Sequence, residues 1–223
     1  ALRSVSTIYN EQYYEVADRQ TPDGKDLNVI PDYGSVDISR LIDLGEIGTF
    51  RYWRPKTAKS TAVLSNKGCR ARCSFCSVRN FNGKDVRMKS IETVINEISI
   101  LKEEFGVNHI TWLDDDLFFD INRTLELFNT LVKKNLKITW DASNGIIASA
   151  AVVHPELVAA SAESGCIGMY FGIESGNDKI LKEVYKPSSV KHYLKLGELM
   201  RKYPKIFTRG FLMIGFPHET LSQ

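Results

Sequence analysis

Asn66-Lys67-Gly68-Cys69-Arg70-Ala71-Arg72-Cys73-Ser74-Phe75-Cys76 gathers three of the chain's four cysteines into eight residues. Four residue steps from Cys69 to Cys73 reach at most ~13–14 Å when extended, and three steps from Cys73 to Cys76 about 10 Å. One short loop can therefore wrap three thiolates round a compact inorganic cluster without backbone strain. A four-iron cluster usually takes four cysteines, so three leave one iron for another ligand. An open coordination position is what separates a catalytic metal site from a structural one.

The bulk of the chain is ordinary for a globular protein: 223 residues, 43% hydrophobic and 25% charged. The net charge of +2 gives no support for a general nucleic-acid surface, although Lys67, Arg70, Arg72 and Arg79 form a local basic cluster round the cysteines. No apolar run reaches membrane-spanning length and no signal-peptide pattern is seen, so neither membrane insertion nor export is expected. Clustered cysteines without a disulfide pattern point to a reducing, cytoplasmic compartment. The chain starts without Met and ends at Gly215-Phe216-Pro217-His218-Glu219-Thr220, where a helix would begin, so we read it as part of a longer protein.

Outward from the cysteines, residues 59–223 read as repeated βα units. Strands are expected at Thr61–Leu64, His109–Leu113, Lys137–Trp140, Ile167–Ile173 and Phe207–Ile214. Helices fall between them. One runs from the N-cap Ser90 to Phe105 with Gly106 as its stop, one from Asn122 to Lys134, and one from Pro155 to Gly165. The last carries Leu194, Leu196, Leu199, Met200 and Tyr203. Residues 1–58 read as an irregular, packed extension, with turns at Pro22-Asp23-Gly24 and Pro31–Gly34 and a single helix over Asp37–Leu44. In parallel α/β barrels the strand-to-helix loops converge at one rim. Here those loops carry the three cysteines, Asp114-Asp115-Asp116, Asp141 and Asn144, Glu174-Ser175, and Gly215-Phe216-Pro217.

The Cys-x3-Cys-x2-Cys pattern with Phe75 before its last cysteine resembles the signature of the radical SAM superfamily. The resemblance covers roughly residues 60–220. Gly172-Ile173-Glu174-Ser175-Gly176 is similar to that family's strand-four motif, which meets the ribose and methionine of S-adenosylmethionine (SAM). The run from Phe211 through Met213 and Ile214 to Thr220 is similar to its strand-five motif beside the adenine. Asp114 and Asp115 stand where many members have Gly-Gly-Glu contacting the methionine ammonium.

The resemblance implies a partial TIM-like (β/α)6 barrel, here lacking its last strand, with a 4Fe-4S cluster on Cys69, Cys73 and Cys76. It implies SAM against Phe75, Asp114, Asp115, Asn144, Glu174, Ser175, Met213 and Ile214. It also implies an electron donor such as flavodoxin or ferredoxin, and reductive cleavage of SAM to a 5'-deoxyadenosyl radical that acts on an unassigned substrate. Trp140, Asn144-Gly145-Ile146 and Glu163-Ser164-Gly165-Cys166 are most similar to the cobalamin-linked branch, in which a cobalamin domain precedes the barrel and methyl transfer is frequent. No Asp-x-His-x-x-Gly motif occurs in residues 1–223, so any cobalamin would be held outside them.

Two alternatives stand beside this. The cysteines could hold zinc in a binding domain without radical chemistry, with Cys166 or a histidine as fourth ligand. A methylthiotransferase would carry a second cysteine trio upstream, and residues 1–60 contain no cysteine. Cys166 reads as a core residue, and His109, His154, His192 and His218 as structural or surface groups.

Overall fold

The computed structural model describes residues 7–14, 22–44 and 57–220. Of the expected N-terminal extension, residues 1–6, 15–21 and 45–56 lie outside the described residues, as do 221–223 at the expected C-terminal helix start. What is described of the extension is not wholly irregular. Strands β1 (Thr7–Tyr9) and β2 (Gln12–Tyr14) form an antiparallel hairpin. Its two-residue turn, Asn10-Glu11, has positive φ at both positions, the geometry that matches the twist of a tight hairpin. Helix α1 (Ile38–Leu44) follows close to its expected place.

The extension is tied to the body of the protein. The Tyr33 hydroxyl donates to Glu97 Oε1 at 2.8 Å, and Asn28 Oδ1 accepts from the Ser90 amide at 2.6 Å. Glu97 is itself buried and ion-paired with buried Lys89 at 2.6 Å. This link explains why Tyr33, with burial and the Glu97 carboxylate both disfavouring its phenolate, is held well above the usual phenol range.

The body is a single parallel sheet whose strands alternate with helices. After β3 (Ser60–Val63) come a two-residue strand β4 (Asn66–Lys67), helix α2 (Val78–Asn82), strand β5 (Arg87–Met88) and helix α3 (Ile91–Phe105). Next are β6 (His109–Trp112), α4 (Ile121–Lys133) and β7 (Thr139–Ile146). Then follow α5 (Ala148–Val153), α6 (Pro155–Glu163), β8 (Cys166–Glu174), α7 (Asp178–Glu183), α8 (Val190–Met200) and β9 (Phe207–Leu212). The sheet order β3-β6-β7-β8-β9 repeats the chain order and every pairing is parallel, the topology of a barrel built progressively from βα units. Strand β9 forms the sheet's edge, with Thr208 to Leu212 exposed.

Helix limits follow local chemistry. The Ser90 side chain accepts from the Thr93 amide at the start of α3, and Gly106 closes it in the left-handed conformation. Alternation then sorts the strands' two faces. Ile110, Trp112 and Trp140 face the helices, where Phe128 of α4 packs 4.9 Å from Trp140 and the Trp140 indole donates to Ser164 O at 3.1 Å. His109, Thr111 and Asp141 occupy the other face as a buried polar set: His109 Nε2 lies 2.9 Å from Asp141 Oδ2, and Thr111 Oγ1 donates to the same oxygen at 3.2 Å.

Two expectations are corrected here. Strand β7 runs six residues past Trp140, so Asp141 is a buried in-strand residue bound to His109 rather than a rim group. Helices α2, α5 and α7, each six residues or fewer, were not anticipated, because so short an apolar period leaves little pattern.

Candidate metal and ligand site

Register breaks shape the rim. Between Ala142↔Met169 and Ile146↔Phe171, β7 holds two more residues than β8, and the excess is the Ser143-Asn144-Gly145 bulge. Gly145 has φ +105, which a side chain would rarely tolerate. A second bulge, between Gly172 and Glu174, leaves Glu174 with φ 63. Bulges at the end of a strand re-aim side chains, and these two turn Asn144 and Glu174 toward one cavity.

The cysteine loop is held from below by the turn after β6, each of whose three aspartates supports a different piece of it. Asp114, 2% exposed, accepts from the Ser65 amide at 2.6 Å and the Ser65 hydroxyl at 2.5 Å. Asp115 accepts from the Gly68 amide at 2.8 Å and the Asn82 side chain at 2.7 Å. Asp116 takes Arg70 through Nε at 2.7 Å and Nη2 at 3.0 Å, a bidentate clamp. Gly68 has φ +99, and a Cβ there would lie 2.3 Å from Asp85 O, so no other residue fits immediately before Cys69. On its far side the loop docks through the Ser74 amide, which donates to Val184 O at 3.0 Å, and through Phe75, whose ring lies 5.8 Å from that of Phe216.

Cys69, Cys73, Cys76, Phe75, Asp115, Asn144 and Glu174 all line one cavity at the C-terminal ends of the strands. It encloses about 170 Å³ and opens to solvent at its mouth, less than the ~300–1,000 Å³ usual for small-molecule sites. Four anticipated residues lie elsewhere. Asp114 is committed to Ser65. Ser175 Oγ accepts from the Asn177 amide at 3.1 Å and shapes the entry to α7. Met213 and Ile214 follow the edge strand, 38% and 97% exposed, and Phe211 enters the cavity in their place.

The residue that sequence reading missed is Lys186. Its Nζ lies 2.8 Å from Glu174 Oε1, with both side chains about nine-tenths buried, and 6.0 Å from the Phe75 ring centre. Gly172 leaves room for this pair, since a Cβ there would meet Lys186 Nζ at 2.4 Å. A cation just before Pro187, at the end of a short helix, was the only signal available.

Burial pushes the Cys69 thiol up to about 11, partly offset by the Ala71 amide on its sulfur. Cys73 is raised by burial, and Lys186 opposes the rise. Ligation by a metal displaces those protons, so loading such a site releases acid. The donor set fits a multi-iron cluster better than a single ion. Three thiols surround a cavity, yet among the described residues no group of three or more His, Cys, Asp or Glu is placed to hold one metal ion. Cys166 supplies no fourth ligand, because it is buried at the start of β8, at the opposite end of the strand from Glu174, with its Sγ 3.5 Å from Gly168 O. No histidine lines the cavity. No helix among the described residues is long and apolar enough to cross a membrane.

A progressive parallel α/β barrel with three cysteines on its first strand-to-helix loop defines a class of cluster-binding barrel proteins. The Radical SAM superfamily model matches residues 63–223, and the chain belongs to that superfamily. An uncharacterized methyltransferase of Pyrococcus horikoshii is 32% identical over 158 residues, 71% of this chain and 33% of that protein. The cytidylyl-2-hydroxyethylphosphonate methyltransferase of Streptomyces wedmorensis is 30% identical over 169 residues, 74% of this chain and 31% of its own length. The chain thus spans about a third of the curated relatives it matches. Among solved structures, the cobalamin-dependent SAM radical enzyme OxsB with aqua-cobalamin and SAM bound superposes with a TM-score of 0.71 at 18% identity, over 94% of this chain and 29% of that one. That likeness is one of fold, and it agrees with the partial TIM-like barrel expected.

Proposed function

We propose that residues 59–223 are the barrel core of a radical SAM enzyme, with residues 1–58 as an extension packed on it. Cys69, Cys73 and Cys76 would hold three irons of a 4Fe-4S cluster, leaving the fourth to the amino and carboxylate groups of SAM. When bound, the cluster supplies the electron that cleaves the SAM sulfonium, giving methionine and a 5'-deoxyadenosyl radical.

The observation that carries the reading is the joint lining of one cavity by the three thiols and by the Glu174–Lys186 pair. An adjacent carboxylate and ammonium suit a zwitterion, because each has an opposite charge to exchange for its present partner. Glu174 would accept from an ammonium or a hydroxyl of SAM, and Lys186 would face a carboxylate. Asp115 holds the loop amide at Gly68 and presents its remaining oxygen to the same space. Phe75 and Phe211 give the nucleobase apolar surface. The bulge at Asn144 donates to Leu113 O and Asp114 O at 3.1 and 3.2 Å, fixing the rim between the second and third barrel strands.

Methyl transfer is the outcome we favour, assisted by cobalamin bound outside this chain, since both relatives named above are methyltransferases and OxsB is cobalamin-dependent. Flavodoxin or ferredoxin would supply the electron, in the cytoplasm. Anaerobic reconstitution tests the core claim. A brown protein with about four irons and four sulfides, converting SAM to 5'-deoxyadenosine, is the expected result. A colourless protein that binds a single zinc ion would overturn it.

A further inference from the structure

The segment that carries the cysteines is also the most basic part of the chain. Between Lys67 and Lys89 there are seven Lys or Arg against one acidic residue, Asp85, whereas the whole chain is nearly balanced at 29 against 27. Two of the seven are neutralised, Arg70 by Asp116 at 2.7 Å and Lys89 by Glu97 at 2.6 Å. Among the described residues the other five, Lys67, Arg72, Arg79, Lys84 and Arg87, have no carboxylate partner. Arg79, which lines the cavity, and the half-buried Arg87 are held instead by backbone carbonyls, Arg79 by Lys84 O at 3.2 Å and Arg87 by Pro22 O at 2.9 Å, which leaves Lys67, Arg72 and Lys84 to the outer face.

The arrangement works against the fold. In the β4–β5 ladder Lys67 stands directly opposite Arg87, and like charges facing each other across strands are destabilising. In the same segment Phe81 of α2 is 80% exposed, and Arg72 and Lys84 are exposed too, with Asp85 the one exposed acid among them. A cationic surface with an aromatic at its centre, maintained at a cost to local stability, has the composition of a recognition patch for an acidic protein.

We infer that the outer face of the segment 67–87, centred on Phe81 and Lys84, is the docking surface for an acidic one-electron carrier protein. The inference rests on the radical SAM reading, and it specifies where the electron enters. The cavity face of the cysteine loop is given over to SAM and substrate, so a protein donor must approach from the loop's outer side. One electron leaves the reduced carrier and enters the cluster. The carrier is oxidised by one electron, and no atom is transferred. The uncompensated cations raise the encounter rate by long-range attraction and leave the docked pair held by short-range contact with the aromatic.

The test uses the reconstituted protein, a bacterial flavodoxin as probe, and the double variant Phe81→Ala/Lys84→Glu, both positions lying outside the cavity. Calorimetric titration with oxidised flavodoxin should show the variant binding about tenfold more weakly, with a shallower dependence on salt. SAM cleavage driven by reduced flavodoxin should slow by about tenfold, while cleavage driven by dithionite stays within about twofold. Equal flavodoxin affinity in the two proteins overturns the inference, as does equal slowing with both reductants. Tighter binding of single-stranded RNA than of flavodoxin, lost in the variant, overturns it in favour of a nucleic-acid surface. An unaltered protein that binds flavodoxin through Phe81 and Lys84 but cleaves no SAM with dithionite keeps the docking face and removes the radical SAM reading instead.

Discussion

The turns after β6 and after β8 both place carboxylates at the C-terminal rim, and they use them in opposite ways. Asp114, Asp115 and Asp116 are engaged by the cysteine loop, accepting from Ser65, Gly68, Asn82 and Arg70. Glu174 has one side-chain partner, the end of a flexible lysine, and it faces a cavity. A carboxylate whose partners are backbone amides and a buried loop cannot change them without moving that loop. One paired with Lys186 can exchange it for a charged ligand without moving the loop. Asp114 and Asp116 are therefore a frame for the metal loop, Asp115 both braces the loop and lines the cavity, and Glu174 is a ligand contact.

The largest effect should come from what the frame supports. Cys73→Ala removes one of three thiolates, so the reconstituted protein should lose its iron and all detectable SAM cleavage, as followed by iron analysis and 5'-deoxyadenosine release. A variant that keeps about four irons would show that the three thiols are not the ligand set.

Next, the two turns can be set against each other. Glu174→Gln should weaken SAM binding by about 10–100-fold, since a charge-assisted contact becomes a neutral one. Its folding cost should be about 3–5 kcal/mol, because the nine-tenths-buried Lys186 loses its counter-charge. Asp116→Asn should break the more exposed Arg70 clamp for about 1–2 kcal/mol, or roughly 2–8 °C in Tm for a domain of this size. Once folded and reconstituted, that variant should bind SAM within about threefold of the unaltered protein. Paired calorimetric scans and SAM titrations decide it, and a Glu174→Gln protein with unchanged SAM affinity removes the distinction between the turns.

The contrast between frame and ligand contact was hidden in the sequence for a physical reason. Periodicity located four of the five barrel strands and α3, α4, α6 and α8 closely, and only the start of β7, because burial on a sheet or helix face repeats along the chain. The three cysteines, Phe75 and Glu174 were also legible, through spacing and position at strand ends. Which carboxylate would be free was not, since that depends on partners about 50 residues away: Ser65 for Asp114, Arg70 for Asp116. Lys186 was hidden as well, because its meeting with Glu174, 12 residues earlier, depends on the course of the chain through α7. The bulge at Asn144 reads in the sequence as part of the loop after the third strand, because Ser-Asn-Gly is turn chemistry whether or not a strand continues through it.

The smallest effect is also the most specific to the frame. Burial pushes the Asp114 carboxyl from 3.8 up to about 6, against the opposing pull of the Ser65 hydrogen bonds and Arg123. For an acid whose pKa is raised on folding, the folded protein binds the proton more tightly than the unfolded chain. Stability contributed by this group is then fully present below about 3.8 and declines as pH rises through about 6. Other carboxylates act in the opposite direction over part of this range, so the difference between two proteins is the useful quantity. Asp114→Asn removes the titration, and its stability deficit relative to the unaltered protein, followed by calorimetry, should shrink as pH is raised from about 4 to about 7, by an amount on the order of 1–3 kcal/mol. A deficit that grows with pH would mean that Asp114 is held ionised by the loop it braces, and the frame would then owe its strength to charge rather than to a buried hydrogen-bonded acid.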